Sequence, residues 1–318
     1  MKRKLVAYIT RTLHLFIPVN ILLPVLKTLY IIPYFGKKIV SSFDPNFIRK
    51  HISFELSSKE IIFNFKNSNL LVNARDHIGF RTYISGQPFE MAVYNLANKL
   101  KPSGRTIVLD IGANIGTASI PVCSNNNFEL IAVEPSKENS ALLLKNIFIN
   151  KIKAKIFCLA LINKVTENYV KLFINNGNTG ANSLSSLWNP SVNSNNNNRL
   201  SEFVPCKTFD EIFFENNIDI KKVIITKIDV EGLEEAVLNG SKKFLEKNTA
   251  PILLEYRNDV MQRDLNSDLN NVCDLLNELN YEIYSIDKNY ILNEFIPSNS
   301  YENIIAIKQN CNLKQYLE

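Results

Sequence analysis

One nine-residue segment, residues 108–116 (VLDIGANIG), constrains the fold of this chain more than any other. An apolar run ends in an acid, and two glycines follow at a spacing of four. This order predicts a buried strand, a tight turn at Gly112 and a helix packed closely at Gly116, because glycine tolerates turn conformations and close backbone approach. In open α/β sheets such a turn lies at the carboxyl end of a strand, which is where ligands bind.

The same pattern of an apolar strand ending in an acid recurs downstream. Glu134 follows the apolar run 128–133, and Asp229 ends the run 222–229. Continuous apolar runs separated by helical stretches are typical of parallel sheets covered on both faces. We therefore predict an α/β domain over residues 101–310, preceded by an N-terminal extension over residues 1–100.

These strand ends place three carboxylates in one predicted crevice, because the carboxyl ends of parallel strands share one edge of the sheet. Glu134 is suited to accept both hydroxyls of a ribose. A nicotinamide dinucleotide is disfavoured, since the chain lacks Gly-x-Gly-x-x-Gly and Asp110 would repel a pyrophosphate. An acid at this place suits a ligand that carries an ammonium and a sulfonium group. A plain strand-to-helix turn without a ligand is the alternative.

The first 40 residues begin with a basic cluster and continue as an interrupted apolar stretch. Charged residues and prolines divide it, so it is too broken for a membrane-spanning helix. A cleaved signal peptide is disfavoured, since no clear small-x-small cleavage site follows the apolar stretch. Two interpretations stay open: a helical arm packed on the domain or on a second subunit, and a peripheral membrane anchor over residues 1–35. We expect a cytoplasmic protein, with membrane association through this segment if the anchor is correct.

Charge and cysteine usage exclude further classes. The net charge of +5 is small and partly lies at the N-terminus, so we expect no nucleic-acid partner. The five widely spaced cysteines predict reduced thiols rather than a disulfide framework or a zinc site.

Local patterns predict several further elements. We expect a β-hairpin over residues 61–73 with its turn at 67–69, and a helix over 89–101. A third sheet strand is predicted over 155–160, with 169–174 as its antiparallel partner. The Asn-rich segment 175–199 predicts a flexible loop or flap. Ser136 and Thr208 are predicted to cap helices, Thr208 through a capping box.

The motifs quoted above resemble those of the FkbM-type S-adenosylmethionine-dependent methyltransferases. The resemblance rests on residues 108–116, 132–136, 208–210 and 227–234, with support from 75–78, 86–90 and 251–255. It implies a class I methyltransferase fold, which is a Rossmann-like, mostly parallel sheet of seven strands whose last strand is antiparallel, with helices on both faces. It also implies methyl transfer to a hydroxyl oxygen, on a sugar or glycan or on a small metabolite.

The resemblance further implies roles for individual residues. The S-adenosylmethionine-binding residues would be Asp110, Gly112, Ala113, Asn114 and Gly116 for the methionine part, Glu134 for the ribose, Pro135 and Ser136 for the adenosine pocket, Ala160 near the adenine, and Asp229 near the methyl group. Asp229 and Glu231 would face the reacting methyl group, and either is a candidate base or ligand of a divalent cation. His77 is a further candidate base.

Each of these site assignments has a purely structural alternative. Asp229 could cap the following helix, and Glu231, Glu234 and Glu235 could be acids favoured in its first turn by the helix dipole. His77 could be a structural histidine. Glu90 and Glu255 could pair with Arg75 or Arg81 rather than belong to the site. For the whole chain, an RNA methyltransferase and a non-catalytic, membrane-docked scaffold remain the alternative functions, and the sequence does not give the oligomeric state.

Overall fold

The computed structural model describes residues 60–73, 76–175, 178–185, 200–257, 268–296, 301–309 and 311–317. The predicted N-terminal arm, most of the Asn-rich loop and Arg75 lie outside these residues. Within the described ranges, no helix combines the length and apolar character that crossing a membrane requires.

The described chain begins with the predicted hairpin. Strands β1 (Glu60–Phe65) and β2 (Ser68–Asn73) pair antiparallel, with Phe65 opposite Ser68, so the turn lies one residue earlier than predicted. Helices α1 (His77–Ser85) and α2 (Ala92–Leu100) follow. The sequence did not indicate α1, because Gly79 is a poor helix former. Glycine is needed there, since a Cβ on Gly79 would lie 2.1 Å from the carbonyl oxygen of Asn73.

The central sheet has the predicted class I methyltransferase topology. The strands are β3 (Ile107–Ile111), β4 (Glu129–Val133), β5 (Ala154–Phe157), β9 (Val223–Ile228), β10 (Ile252–Arg257), β11 (Tyr281–Ile286), β12 (Leu292–Glu294) and β13 (Tyr301–Lys308). Their order in the sheet is β12-β11-β13-β10-β9-β3-β4-β5, in which β10, β9, β3, β4 and β5 are mutually parallel and β13 is antiparallel to both neighbours. The short β12 adds an eighth strand to the seven that were predicted.

A separate three-stranded sheet corrects one prediction. It consists of β6 (Ala160–Leu161), β7 (Tyr169–Phe173) and β8 (Ser201–Lys207) in the order β6-β8-β7. The third strand of the main sheet ends at Phe157, so Ala160 pairs with Cys206 of β8 instead of extending that strand. The predicted partner of 169–174 was also wrong, because β7 pairs with β8. No strand was predicted over residues 201–207, where Pro205, which has no N–H to donate, is uncommon inside a strand.

Helices cover both faces of the main sheet. Ile107, Leu109 and Ile111 of β3 belong to one hydrophobic core, and Val108 between them belongs to the other. The two cores confirm the layered α/β architecture. The remaining helices are α3 (Ile120–Asn126), α4 (Lys137–Ile149), α5 (Phe209–Glu215), α6 (Glu234–Asn239), α7 (Lys242–Lys247) and α8 (Leu269–Glu278).

Local capping follows the sequence. The Ser136 side chain accepts the Asn139 N–H at the start of α4. Thr208 and Glu211 form a reciprocal capping box at the start of α5. None of the five cysteines is paired in a disulfide in the structure.

Candidate active site

The turn after β3 needs glycine for two reasons. Gly112 has φ 78, which L side chains rarely adopt. A Cβ on Gly112 would also lie 1.7 Å from the carbonyl oxygen of Asp229. Gly116 has φ 86, and a Cβ there would lie 2.5 Å from Ile120 and 2.8 Å from Leu143. The two glycines therefore let β9 and α4 approach the turn as closely as they do.

Glu134 closes one side of the crevice and is bonded to the turn. Its Oε2 accepts the backbone N–H of Asn114 at 2.8 Å, and its Oε1 accepts that of Ser136 at 2.9 Å. The side-chain amide of Asn139 donates to Oε1 at 3.3 Å. Burial raises the pKa of Glu134 to about 7, although these hydrogen bonds oppose the shift. The carboxyl group is held by backbone donors, and its remaining lone pairs are available to a ligand.

Lys227 lies at the centre of the site, where its side chain is only 4% exposed. Its Nζ is 3.0 Å from Asp229 Oδ2, 3.5 Å from Glu90 Oε2 and 3.6 Å from Asp110 Oδ1. It also donates to the carbonyl oxygen of Gly112 at 3.2 Å. Burial favours a lower pKa, but the three carboxylates outweigh it and raise the pKa of Lys227, so the amine stays charged.

A group of carboxylates lies on the other side of the crevice from Glu134. Oxygen atoms of Glu90, Asp229 and Glu255 all lie within 4.8 Å of one another. Burial raises the pKa of Glu90, against the opposing charge of Lys227. Glu90 therefore belongs to the site rather than to a pair with Arg81, which is exposed. A half-buried carboxylate with a raised pKa is suited to accept a proton.

The turn after Asp229 is held from within. The Oε1 of Glu234 accepts the N–H of Val230 at 2.9 Å and that of Gly232 at 3.3 Å. Burial raises the pKa of Glu234 to about 7. Glu231 itself has φ 53, an uncommon conformation for a residue with a side chain. Glu234 thus shapes the backbone that presents Asp229 and Glu231.

A short segment, residues 178–185, lies over the pocket. The carboxylate of Asp76 caps α1 through the Ile78 N–H at 2.9 Å and also accepts the Thr179 N–H at 2.6 Å. Asn139 donates to the Thr179 carbonyl oxygen at 3.2 Å. The Ser183 hydroxyl donates to the Glu231 carbonyl oxygen at 3.0 Å. This covering segment is therefore fastened to three different parts of the site.

These elements enclose a cavity of about 250 Å³ at the carboxyl ends of β3, β4 and β9. Nine of the twelve predicted site residues line it: His77, Gly112, Ala113, Asn114, Glu134, Pro135, Ala160, Asp229 and Glu231. The other three lie behind the lining. Asp110 faces Lys227, Gly116 packs under the turn, and Ser136 caps α4 and donates to Glu134.

Several site residues were missed from the sequence. Lys227 and Asp76 were not assigned roles, and the covering segment 178–185 was predicted only as part of a flexible loop or flap. One signal was available for Lys227, since a lysine inside the apolar run 223–228 must be buried and therefore needs counter-charges. No comparable local signal marks the bond between Asp76 and Thr179, which are 103 residues apart.

The strand order, the antiparallel β13 and the acid-lined pocket beside a glycine turn define the class of S-adenosylmethionine-dependent class I methyltransferases. Within that class, residues 110–283 match the sequence profile of the methyltransferase FkbM domain. The match covers more than half of the chain, and the chain belongs to the FkbM methyltransferase family.

The solved structures that match this chain share little sequence with it. The methyltransferase FkbM from Methylobacillus flagellatus is 14% identical, with a TM-score of 0.38 over 71% of this chain and 52% of that chain. This chain therefore spans about half of that protein. The O-methyltransferase from Bacillus cereus in complex with SAH is 11% identical, with a TM-score of 0.38 over 68% and 80%.

A tRNA (uracil-54, C5)-methyltransferase from Pyrococcus abyssi, solved with S-adenosyl-L-homocysteine, is 13% identical, with a TM-score of 0.39 over 79% of this chain and 44% of that chain. No curated protein sequence matches the chain.

Proposed function

We propose that this chain transfers a methyl group from S-adenosylmethionine to a hydroxyl oxygen of a sugar, a glycan or a small hydroxylated metabolite. The observation that best supports this proposal is one pocket with Glu134 on one side and the carboxylates of Glu90 and Asp229 on the other. β4 and β9 flank β3, and neighbouring strands lie about 4.8 Å apart, so the two sides are separated by about 10 Å.

The polar groups around the glycine turn fit the cofactor. Both carboxylate oxygens of Asp110 are buried without a hydrogen-bond partner in the described part of the chain, as are Asn114 Oδ1 and Asn182 Nδ2. Such groups suit the charged amino-acid end of S-adenosylmethionine. Glu134 has lone pairs left for the ribose hydroxyls. When bound, the cofactor supplies a methyl group that is already activated on a sulfonium.

On the acceptor side, the chain has to orient a hydroxyl and remove its proton. Positioning alone contributes several kcal/mol, up to roughly 7–11 kcal/mol in ideal cases. A base adds roughly 10²–10⁴-fold. Asp229, Glu231 and His77 all line the pocket there, and Glu90 joins them. Asp229 is ion-paired with Lys227, so it is suited to hold the acceptor hydroxyl by a hydrogen bond. Glu90 is suited to take the proton from that hydroxyl.

Small-molecule or glycan acceptors are proposed because the acceptor side is acidic and would repel a phosphate backbone. Peripheral membrane contact through residues 1–35, a cytoplasmic location and the oligomeric state remain predictions or open questions from the sequence.

Two measurements test the proposal. Calorimetry with S-adenosylmethionine and S-adenosylhomocysteine should show saturable binding to the folded chain. Incubation of methyl-labelled cofactor with cell extract, followed by separation of glycan, lipid, protein, nucleic-acid and small-metabolite fractions, should place label in the glycan or small-metabolite fraction.

Asp229→Asn serves as the variant for transfer, and Asp219→Asn, at an exposed position before β9, serves as its matched control. We expect the first to retain cofactor binding and lose transfer, and the second to retain both. Label in RNA would replace the proposal by a nucleic-acid methyltransferase. Cofactor binding without transfer to any fraction would support a scaffold, and absence of binding would remove the proposed function.

A further inference from the structure

Lys227 contacts both the glycine turn and the acceptor-side carboxylates. It contacts Asp110 and the Gly112 carbonyl oxygen below the turn, and Glu90 and Asp229 on the acceptor side. A buried amine of this kind is stable only when opposite charges surround it.

The acceptor-side carboxylates also resemble the donor set of a divalent cation, because three carboxylate oxygens within 4.8 Å suit a hard metal ion. The position of Lys227 disagrees with that use. Its ammonium group lies 3.0 Å from Asp229 Oδ2 and 3.5 Å from Glu90 Oε2. Asp229 and Glu90 are two of the three candidate metal ligands. A metal ion bound at about 2.0–2.6 Å from the same carboxylates would be placed against a fixed positive charge.

We propose that the Lys227 ammonium group is the built-in cation of this acidic cluster, taking the place of a divalent metal ion and fixing the acceptor-side carboxylates relative to the glycine turn. The role of Lys227 in methyl transfer rests on the proposed function. Its assignment as the cation of the cluster rests on the Lys227 contacts alone. Lys227 acts here as a positioning residue, since it holds Asp229 and Glu90 and does not itself contact a reacting atom.

The arrangement also links the two halves of the site. The Lys227 Nζ donates to the Gly112 carbonyl oxygen at 3.2 Å, in the same turn whose Asn114 N–H binds Glu134. A change at Lys227 is therefore transmitted to the cofactor side as well as to the acceptor side.

Manganese titration tests the charge assignment without any acceptor. Mn²⁺ alone is added to metal-stripped wild-type protein and to Lys227→Met, and free Mn²⁺ is followed by electron paramagnetic resonance. We expect no saturable site in the wild type, and in Lys227→Met a new site at least 10-fold tighter than any wild-type binding. Lys153→Met removes an exposed lysine that pairs with Glu129 and should behave like the wild type.

Chelation tests the same assignment in the wild-type protein. This test does not require Lys227→Met to fold. Treatment with EDTA should change the rate of methyl transfer less than twofold. A saturable Mn²⁺ site in the wild type, or a rate that EDTA removes and Mg²⁺ restores, would overturn the inference. So would a folded Lys227→Met that gains no Mn²⁺ site.

Kinetics then separate positioning from folding. In folded Lys227→Met we expect kcat to fall at least 100-fold and the Kd for S-adenosylhomocysteine to rise about 10-fold, with partial recovery of both in Lys227→Arg. Unchanged kcat would contradict the positioning role. Failure of the wild type to bind S-adenosylmethionine would remove the proposed function, while the Mn²⁺ titration would still decide the charge assignment.

Discussion

The carboxylate of Glu134 accepts the backbone N–H of Asn114 at 2.8 Å, so the acid after β4 is bonded directly to the glycine turn after β3. Two strand ends are thereby joined by one hydrogen bond at the edge of the pocket. The N–H of Ser136 holds the other carboxylate oxygen at 2.9 Å. The orientation of Glu134 is consequently fixed before any ligand binds.

This relationship predicts that Glu134→Gln weakens S-adenosylmethionine binding by about 10–100-fold, because a hydrogen bond to a charged group contributes about 1.5–3 kcal/mol. The substitution also turns one acceptor oxygen into an NH₂ group that faces a backbone donor. Isothermal titration calorimetry measures the change. Glu129→Gln is the matched control, since Glu129 begins the same strand and pairs with exposed Lys153. Equal affinities in the two variants would contradict a role for Glu134 in binding.

Glu234 predicts a pH dependence of stability. Burial raises its pKa from its ordinary value to about 7, so the folded state keeps a proton that the unfolded state releases at lower pH. The free energy of unfolding should therefore fall as pH rises from about 5 to about 7 and stay low above that range. Burial also raises the pKa of Glu134, so Glu134 contributes a pH dependence of stability in the same direction.

Glu234→Gln tests this sign. The amide oxygen can still accept the N–H groups of Val230 and Gly232, and the buried charge is gone. We expect the variant to be about 1–3 kcal/mol more stable than the wild type at pH 8, to match it near pH 5, and to show a shallower pH dependence in urea unfolding. Glu234→Ala should be less stable at both pH values. A Gln variant that is weaker at pH 8 would show that the carboxylate charge stabilises the turn.

Gly112 and Gly104 allow a steric prediction with an internal control. Both have a positive φ, 78 and 75, but a Cβ on Gly104 meets nothing within 4 Å, whereas one on Gly112 would overlap the Asp229 carbonyl oxygen. Gly104→Ala should lose about 1–2 kcal/mol of stability through backbone strain alone. Gly112→Ala should lose at least about 3 kcal/mol and bind no cofactor, as checked by chemical denaturation and calorimetry. Similar losses of stability in both variants would mean that β9 moves away from the added Cβ without a loss of free energy.

The elements that the sequence predicted well are those with local causes. The turn at Gly112 follows from two glycines after an apolar run, and the caps at Ser136 and Thr208 follow from side chains that bond within three residues. The β1–β2 hairpin follows in the same way from short alternating runs, with an error of one residue at the turn.

The features that escaped prediction depend on partners distant in sequence. The strand β8 was not predicted, and its pairing with β6 and β7 is what makes it a strand. Lys227 was visible as a charge in an apolar run, but its partner Glu90 is 137 positions away and follows no periodicity. Site chemistry that arises from such distant contacts requires the fold as an intermediate step.

The covering segment 178–185 provides the last prediction. Asp76 both caps α1 and holds the Thr179 N–H, so Asp76→Ala should cost about 1 kcal/mol through the lost cap and also release the segment. Asp268→Ala is the matched control, because Asp268 caps α8 through Asn270 and lies outside the pocket lining. We expect similar stability losses in both variants, but a 3–10-fold weaker cofactor affinity and faster hydrogen exchange of the Thr179 amide only in Asp76→Ala. This difference follows because the Asp76 carboxylate holds the covering segment as well as capping α1, whereas Asp268 lies outside the pocket lining. Unchanged exchange at Thr179 would show that Asn139 and Ser183 suffice to hold the segment over the pocket.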